Sequence, residues 1–260
     1  MKIVSLLPSA TEIVYALGLG DDLVAVSHEC DYPPAVRSKP KITRALVNSN
    51  LSSQAIDHDV RGRLHLAGTL YALDYKLLDH LQPDVILTQQ LCNVCAVAYD
   101  EVRDVVGRLA RSSEIVNLEP KSLGDILENI RAVARLAGRL KEGEEVIRIL
   151  QSRIERVGNL ASKFRPHPKI FLMEWINPPY GAGHWNGELI EIAGGIDRLA
   201  GVGQPSRRVE WSEIPKFGPE IVVISCCGFS IERTLKEIPD LQNVKEWQNL
   251  PAVLAQRVYV

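Results

Sequence analysis

Two tracts in which short β-branched runs alternate with helical patterns flank one helical tract, residues 122–166, and this order leaves few architectures open. Strand, helix and strand in repetition build a parallel sheet covered by helices through right-handed crossovers. In the first tract the spacing predicts strands at 2–7, 23–28, 85–90 and 114–118, with helices at 11–17, 75–80 and 99–110. Residues 43–66 fit this scheme poorly; they are polar, rich in Ser, Asn and Asp, and read as an insertion with room for one helix.

The central tract is the strongest helical signal in the chain. Ser122 and Asp125 are spaced as a capping box, and Leu123, Ile126, Leu127, Ile130, Val133, Ala134, Ala137 and Leu140 follow at helical steps. The pattern changes phase around Gly143 and resumes with Val146, Ile149, Leu150, Ile154, Val157 and Leu160, ending before Pro166. Two successive helices result, the second of about 20 residues and so roughly 30 Å long. Strands restart at 169–175, 221–226 and 257–260, with helices at 187–193 and 230–237. The division is an N-terminal α/β lobe at 1–120, a helical linker at 121–166 and a C-terminal α/β lobe at 167–260 without a final covering helix. A chain of 260 residues is long enough for two such modest lobes.

Charge and cysteine usage narrow the function. A net charge of -2 gives no basic face for nucleic acid. No apolar run approaches the ~20 residues of a spanning helix, so no membrane insertion is expected. Residues 1–8 run straight into a strand without the basic start and long apolar core of a secretory signal. The five cysteines show no disulfide framework. Both features predict a cytoplasmic chain, or a periplasmic or extracellular one if a leader has been trimmed away.

Three blocks resemble one known family. They are KIVSLLPSATEIVYALGLGDDLVAVSHECDYPP at 2–34, LQPDVILT at 81–88, and IFLMEWINPPYGAG at 170–183, the last followed by ELIEIAGG and by RRVEW at 207–211. Together, and in this order, the blocks resemble the substrate-binding proteins of cobalamin and iron-siderophore uptake, most closely the cobalamin-binding branch. The resemblance implies two Rossmann-like lobes with parallel sheets joined by a long backbone helix (class III periplasmic-binding-protein-like), with residues 141–164 as that helix. It implies a cobalamin or other corrinoid held in a cleft between the lobes, no cofactor of the protein's own, and an ABC permease as partner.

Several residues are candidates for the site. Pro8-Ser9-Ala10 follows the first strand and opens a helix, with Ser9 as N-cap and Glu12 as its capping-box partner; ligands of α/β sheets lie beyond such strand ends. The resemblance places this turn on the cleft and sets Tyr32 and Tyr180, each beside prolines, against the ligand, with Trp211 as a third aromatic wall. Buried core aromatics are the alternative for all three. Trp185 joins them on position, and Gln89 stands where the cobalamin branch tends to carry an aromatic.

Cys92-Asn93-Val94-Cys95 follows a strand and precedes a helix, a setting that lowers thiol pKa. A redox dithiol, part of a metal site, and a ligand to a corrinoid metal all stay open for it, beside small apolar filling. Cys226 and Cys227 are adjacent in a strand pattern, so at most one could join. His28 and His184 are the histidines placed to ligate a metal, and His58, His65, His80 and His167 read as surface residues. In the resembling proteins a glutamate on each lobe docks on the permease; here Lys76 stands at the N-lobe position, and Glu213 and Glu220 are merely near the other. Two roles follow: a binding protein for a corrinoid or related metal chelate, in an uptake system or as a cytoplasmic carrier, or a thiol-dependent redox or metal-using enzyme built on Cys92 and Cys95.

Overall fold

The computed structural model describes residues 1–90, 97 and 99–260. By contact they form two compact units, each with its own sheet. Unit 1 comprises Met1–Asn50, His58–Pro120 and Asp125–Arg148, and unit 2 comprises Leu51–Asp57, Lys121–Gly124 and Ile149–Val260.

Unit 1 opens with β1 (Ile3–Ser5), α1 (Pro8–Ala16) and β2 (Leu23–Val26). After a 3-10 turn at Pro34–Ser38 come β3 (Thr43–Ala45), α2 (Ser53–Ala67), β4 (Tyr71–Leu73), α3 (Tyr75–Leu81), β5 (Val85–Thr88), α4 (Tyr99–Val106) and β6 (Glu114–Asn117). The sheet runs β2-β1-β5-β6 and every pair is parallel. Ile3, Val4 and Ser5 of central β1 are all buried, as expected of a strand covered on both faces. Val4, Leu6, Ala25, Ile86 and Val102 form part of its core, each large apolar side chain contributing about 1.5–3 kcal/mol.

The first helix begins differently from its sequence reading. Pro8 occupies the first turn and Leu7 is the N-cap, with no side-chain cap bond, so Ser9 does not cap the helix. The proline ring presets φ for the first helical turn and has no N–H to satisfy, which shifts the start upstream of Ser9. At the other end Gly18 adopts φ +72°, and Gly18 N–H to Tyr15 O with Leu19 N–H to Val14 O closes the helix.

The polar insertion does hold a helix, α2. An antiparallel ribbon, β3 with β4, brackets it, and three-residue strands are too short to display a period of two. The central helices are α5 (Leu123–Leu136) and α6 (Leu140–Ala161). They part at Gly138, φ +66°, rather than at Gly143. Gly143 is buried inside α6, where an added Cβ would fall 2.5 Å from the Ala134 Cβ; there the glycine serves close helix packing, not a break.

Unit 2 takes the rest of α6 and then β7 (Ile170–Trp175), β8 (Tyr180–Gly181), α7 (Asn186–Ile192), β9 (Arg207–Arg208), α8 (Glu213–Phe217) and β10 (Ile221–Ile224). Short helices α9 (Ile231–Leu235), α10 (Ile238–Leu241), α11 (Lys245–Gln248) and α12 (Pro251–Leu254) precede β11 (Val258–Tyr259). The order is β11-β10-β7-β8-β9. Strands β11, β10 and β7 are parallel, but β8 and β9 are antiparallel, so this sheet is mixed rather than purely parallel. The Pro178-Pro179 turn reverses the chain directly after β7, and a reversal that tight permits only antiparallel pairing. Phe171, Met173, Val222, Ile224, Trp247 and Leu250 sit in its core.

Candidate functional site

The turn after β1 in unit 1 is built on buried hydroxyls. Thr11 Oγ1 donates to Ser5 Oγ at 2.8 Å, Ser5 Oγ donates to Leu7 O at 2.9 Å, and Cys30 Sγ lies 3.1 Å from Thr11 Oγ1. This knot leaves Pro8 half-buried and Ser9 exposed at the carboxyl edge of the sheet. Ala10 is fully buried in α1 and presents no surface to a ligand, because its position points into the helix-to-sheet contact. Gln89 is half-buried immediately past β5, at the same edge.

Tyr32 is 61% exposed, which rules out a core role. Its loop is held by Lys41 Nζ donating to Cys30 O at 2.6 Å and Arg37 Nε donating to Asp31 O at 3.4 Å. His28 is held through Nδ1 and its ring face, while its buried Nε2 makes no hydrogen bond among the described residues. Its Nδ1 lies 2.7 Å from Thr43 Oγ1, its ring stacks at a tilt on Tyr71 with centroids 5.4 Å apart, and its buried Nε2 lies 3.1 Å from Glu29 Oε1. Cys92 and Cys95 lie outside the described residues. Among the described residues no three His, Cys, Asp or Glu side chains are grouped to hold a metal ion.

In unit 2 the segment from Tyr180 to Trp185 is clasped by residues 203–206. His184 N–H donates to Gln204 O at 2.6 Å, Gly203 N–H donates to His184 O at 2.9 Å, and Gly183 N–H donates to Ser206 Oγ at 3.1 Å. An added Cβ on Gly183 would fall 2.3 Å from Gln204 O, so only glycine permits this approach. His184 takes φ +56°, its Nε2 is buried without a hydrogen bond among the described residues, and burial holds its imidazole below its ordinary pKa. The ring is therefore neutral near pH 7, and its centroid lies 5.9 Å from that of Trp185.

Tyr180 is half-buried on β8, and Trp185 is half-buried at the start of α7. Trp211 follows β9, half-buried and packed on the unit 2 core beside Trp175, Phe217 and Phe229, so it has both a core side and an open one. Two further features had no sequence reading. Glu174, the penultimate residue of β7, is a half-buried carboxyl that burial pushes above the usual range, with the Ser206 hydroxyl opposing. Glu237 is 4% exposed and accepts from Ser53 N–H, from Ser53 Oγ at 2.6 Å and from Arg233 at 2.6 Å. Each draws on a residue far off in the chain, Ser206 for Glu174 and Ser53 for Glu237, while Arg233 is a local partner of Glu237 four residues before it.

The strand-end turn and the exposed tyrosine belong to unit 1, and the clasped aromatic segment belongs to unit 2. A family model described as periplasmic binding protein matches residues 3–260. The chain belongs to this family. Its curated relatives include a vitamin B12-binding protein of Vibrio cholerae, 24% identical over 95% of this chain and 79% of the relative. An uncharacterized ABC transporter substrate-binding lipoprotein, YvrC of Bacillus subtilis, is 25% identical over 60% of this chain and 40% of its own.

Among solved structures, the periplasmic vitamin B12-binding protein BtuF of Vibrio cholerae matches with a TM-score of 0.69 at 23% identity, over 99% of this chain and 86% of that one. The periplasmic heme-binding protein RhuT from Roseiflexus matches with a TM-score of 0.71 at 19% identity, over 99% and 88%. The periplasmic binding protein fold here is thus the class III, two-unit α/β type. As a periplasmic binding protein the chain is not the thiol-dependent enzyme held open from Cys92 and Cys95. The cytoplasmic expectation is likewise unsupported, since the family takes its name from the periplasm. Among the described residues no helix is long and apolar enough to cross a membrane.

Proposed function

We propose that this periplasmic binding protein takes up a cobalamin-like corrinoid and presents it to an ABC permease from the outer side of the membrane. One observation carries the reading: relatives named as vitamin B12-binding proteins align over 95% of the chain. The geometry supports it, because Tyr32 is exposed and Tyr180, Trp185 and Trp211 are only partly buried, which leaves each some surface for a broad apolar macrocycle. Tyr32 and Gln89, with the Pro8-Ser9 turn, serve from unit 1, and Tyr180, Trp185 and Trp211 from unit 2. Rigid aromatics with a few polar neighbours suit a corrin, whose flat apolar ring is edged by amides. The working division stays 1–120, 121–166 and 167–260.

The permease contact on unit 1 departs from the resembling proteins, since exposed Lys76 on α3 carries the opposite charge to their glutamate. A partner surface with an acidic complement at that point would follow.

Titration with cyanocobalamin tests the reading. All four tryptophans (Trp175, Trp185, Trp211 and Trp247) lie in unit 2, so quenching reports a ligand reaching that unit. Saturable quenching, lost in part with Trp211→Ala and in part with Tyr32→Ala, is the expected result. No binding of cyanocobalamin, together with tight binding of hemin, would move the ligand to a heme.

A further inference from the structure

Tyr180 and Arg208 face each other across the β8–β9 ribbon. They are direct partners in the antiparallel register, as are Gly181 and Arg207. Directly opposed residues of such a pair project to one face, and successive residues alternate. Val209 is fully buried, and a Cβ on Gly181 would lie 3.3 Å from its Cγ2; the Gly181–Arg207 face is therefore the inward one. Tyr180, Arg208 and Glu210 share the outward face.

The two arginines are also occupied differently. Arg207 grips Glu213 with two nitrogens, at 2.9 and 3.3 Å, and donates to Arg208 O at 3.1 Å. Arg208 has one ion-pair partner among the described residues, Glu210, with Nε 3.3 Å from Oε1; the two side chains are 48% and 64% exposed. An exposed pair of this kind contributes little and gives way readily. A guanidinium has five N–H donors in a planar fork, and a single carboxylate contact leaves most of them to water.

We infer that Arg208 is a specificity-determining residue that binds an anionic phosphodiester on the ligand whose macrocycle packs on Tyr180. The inference rests on the corrinoid reading above and deepens it. Phosphate oxygens match the guanidinium fork in shape and charge, and the neighbouring aromatic ring supplies the apolar half of one continuous contact. Corrinoids come with and without such a group: cobalamin carries a phosphodiester in its nucleotide loop, and cobinamide lacks it. Arg208 would thus let the protein distinguish the complete molecule from its precursor.

The test is calorimetric titration of the full chain and its Arg208→Gln, Arg208→Lys and Tyr180→Ala variants with cyanocobalamin and with dicyanocobinamide. Arg208→Gln should bind cyanocobalamin on the order of tenfold more weakly and leave dicyanocobinamide unchanged. Arg208→Lys should recover part of the loss, since it keeps the charge without the fork. Tyr180→Ala should weaken both ligands alike. If both corrinoids bind the unaltered protein and Arg208→Gln changes both equally, or neither, the inference is overturned while the corrinoid reading stands. If neither corrinoid binds the unaltered protein, the reading itself fails and takes the inference with it.

Discussion

A charged carboxylate at 4% exposure must be heavily compensated, and Glu237 is. Ser53 donates through its N–H and its hydroxyl, and Arg233 donates at 2.6 Å while lying 4.4 Å over the Phe229 ring and donating to Leu51 O at 2.7 Å. The carboxylate thereby meets the N-terminus of α2, where unpaired N–H groups and the helix dipole favour negative charge. Glu237→Ala strands all three donors and should cost about 2–4 kcal/mol in urea unfolding. Glu237→Gln keeps an acceptor and should cost roughly half as much. Acid should expose the same group. Burial alone raises the Glu237 pKa, but the bonds from Ser53 and Arg233 together outweigh it and hold the value below normal. A depressed carboxylate stabilises the fold fully above the unfolded value of about 4.3 and ceases to do so as pH falls through the lower folded value. The stability gap between the natural protein and Glu237→Gln should therefore shrink below about pH 4. A gap constant from pH 6 to pH 3 would contradict this. Arg233 is a local partner four residues before Glu237, but Ser53 lies 184 residues away, and no local pattern announces its contact.

At the scale of elements, what the chain discloses depends on length. The parallel strands β1, β2, β5, β7 and β10 and the 22-residue α6 are long or apolar enough to read from spacing. The ribbons β3–β4 and β8–β9 have strands of two or three residues and leave no periodic trace, yet β8–β9 carries Tyr180 and Arg208. Glycines were legible as glycines but not by role. Gly138, not Gly143, ends α5, and Gly183 reads as a loop residue until its neighbours are known. Gly183→Ala tests that last role. The new Cβ would fall 2.3 Å from Gln204 O and 2.4 Å from Ser206 N, backbone atoms that no rotamer change can move. The clasp must then open, which should cost about 2 kcal/mol or more of stability. Because that clasp positions His184 and Trp185, corrinoid affinity should fall as well. A variant with unchanged melting and unchanged titration would show that the segment is not held as described.

For the whole molecule, ligand binding and unfolding are linked. A ligand that binds only the folded chain at 100 times its Kd adds about 2.7 kcal/mol of stability. For chains of about this size each kcal/mol moves Tm by roughly 2–4 °C, so saturating cyanocobalamin should raise it by about 5–10 °C. Two units with separate cores can melt in two steps, and that makes the shift diagnostic. If Tyr32 and Gln89 of unit 1 and Tyr180, Trp185 and Trp211 of unit 2 all touch the ligand, both calorimetric transitions should move upward and converge. Tyr32→Ala should then reduce the shift of the unit 1 transition more than that of unit 2. A shift confined to the unit 2 transition would mean that the aromatic segment binds alone. Tyr32, exposed as it is, would then belong to another surface, and the unit 1 half of the site would have to be withdrawn.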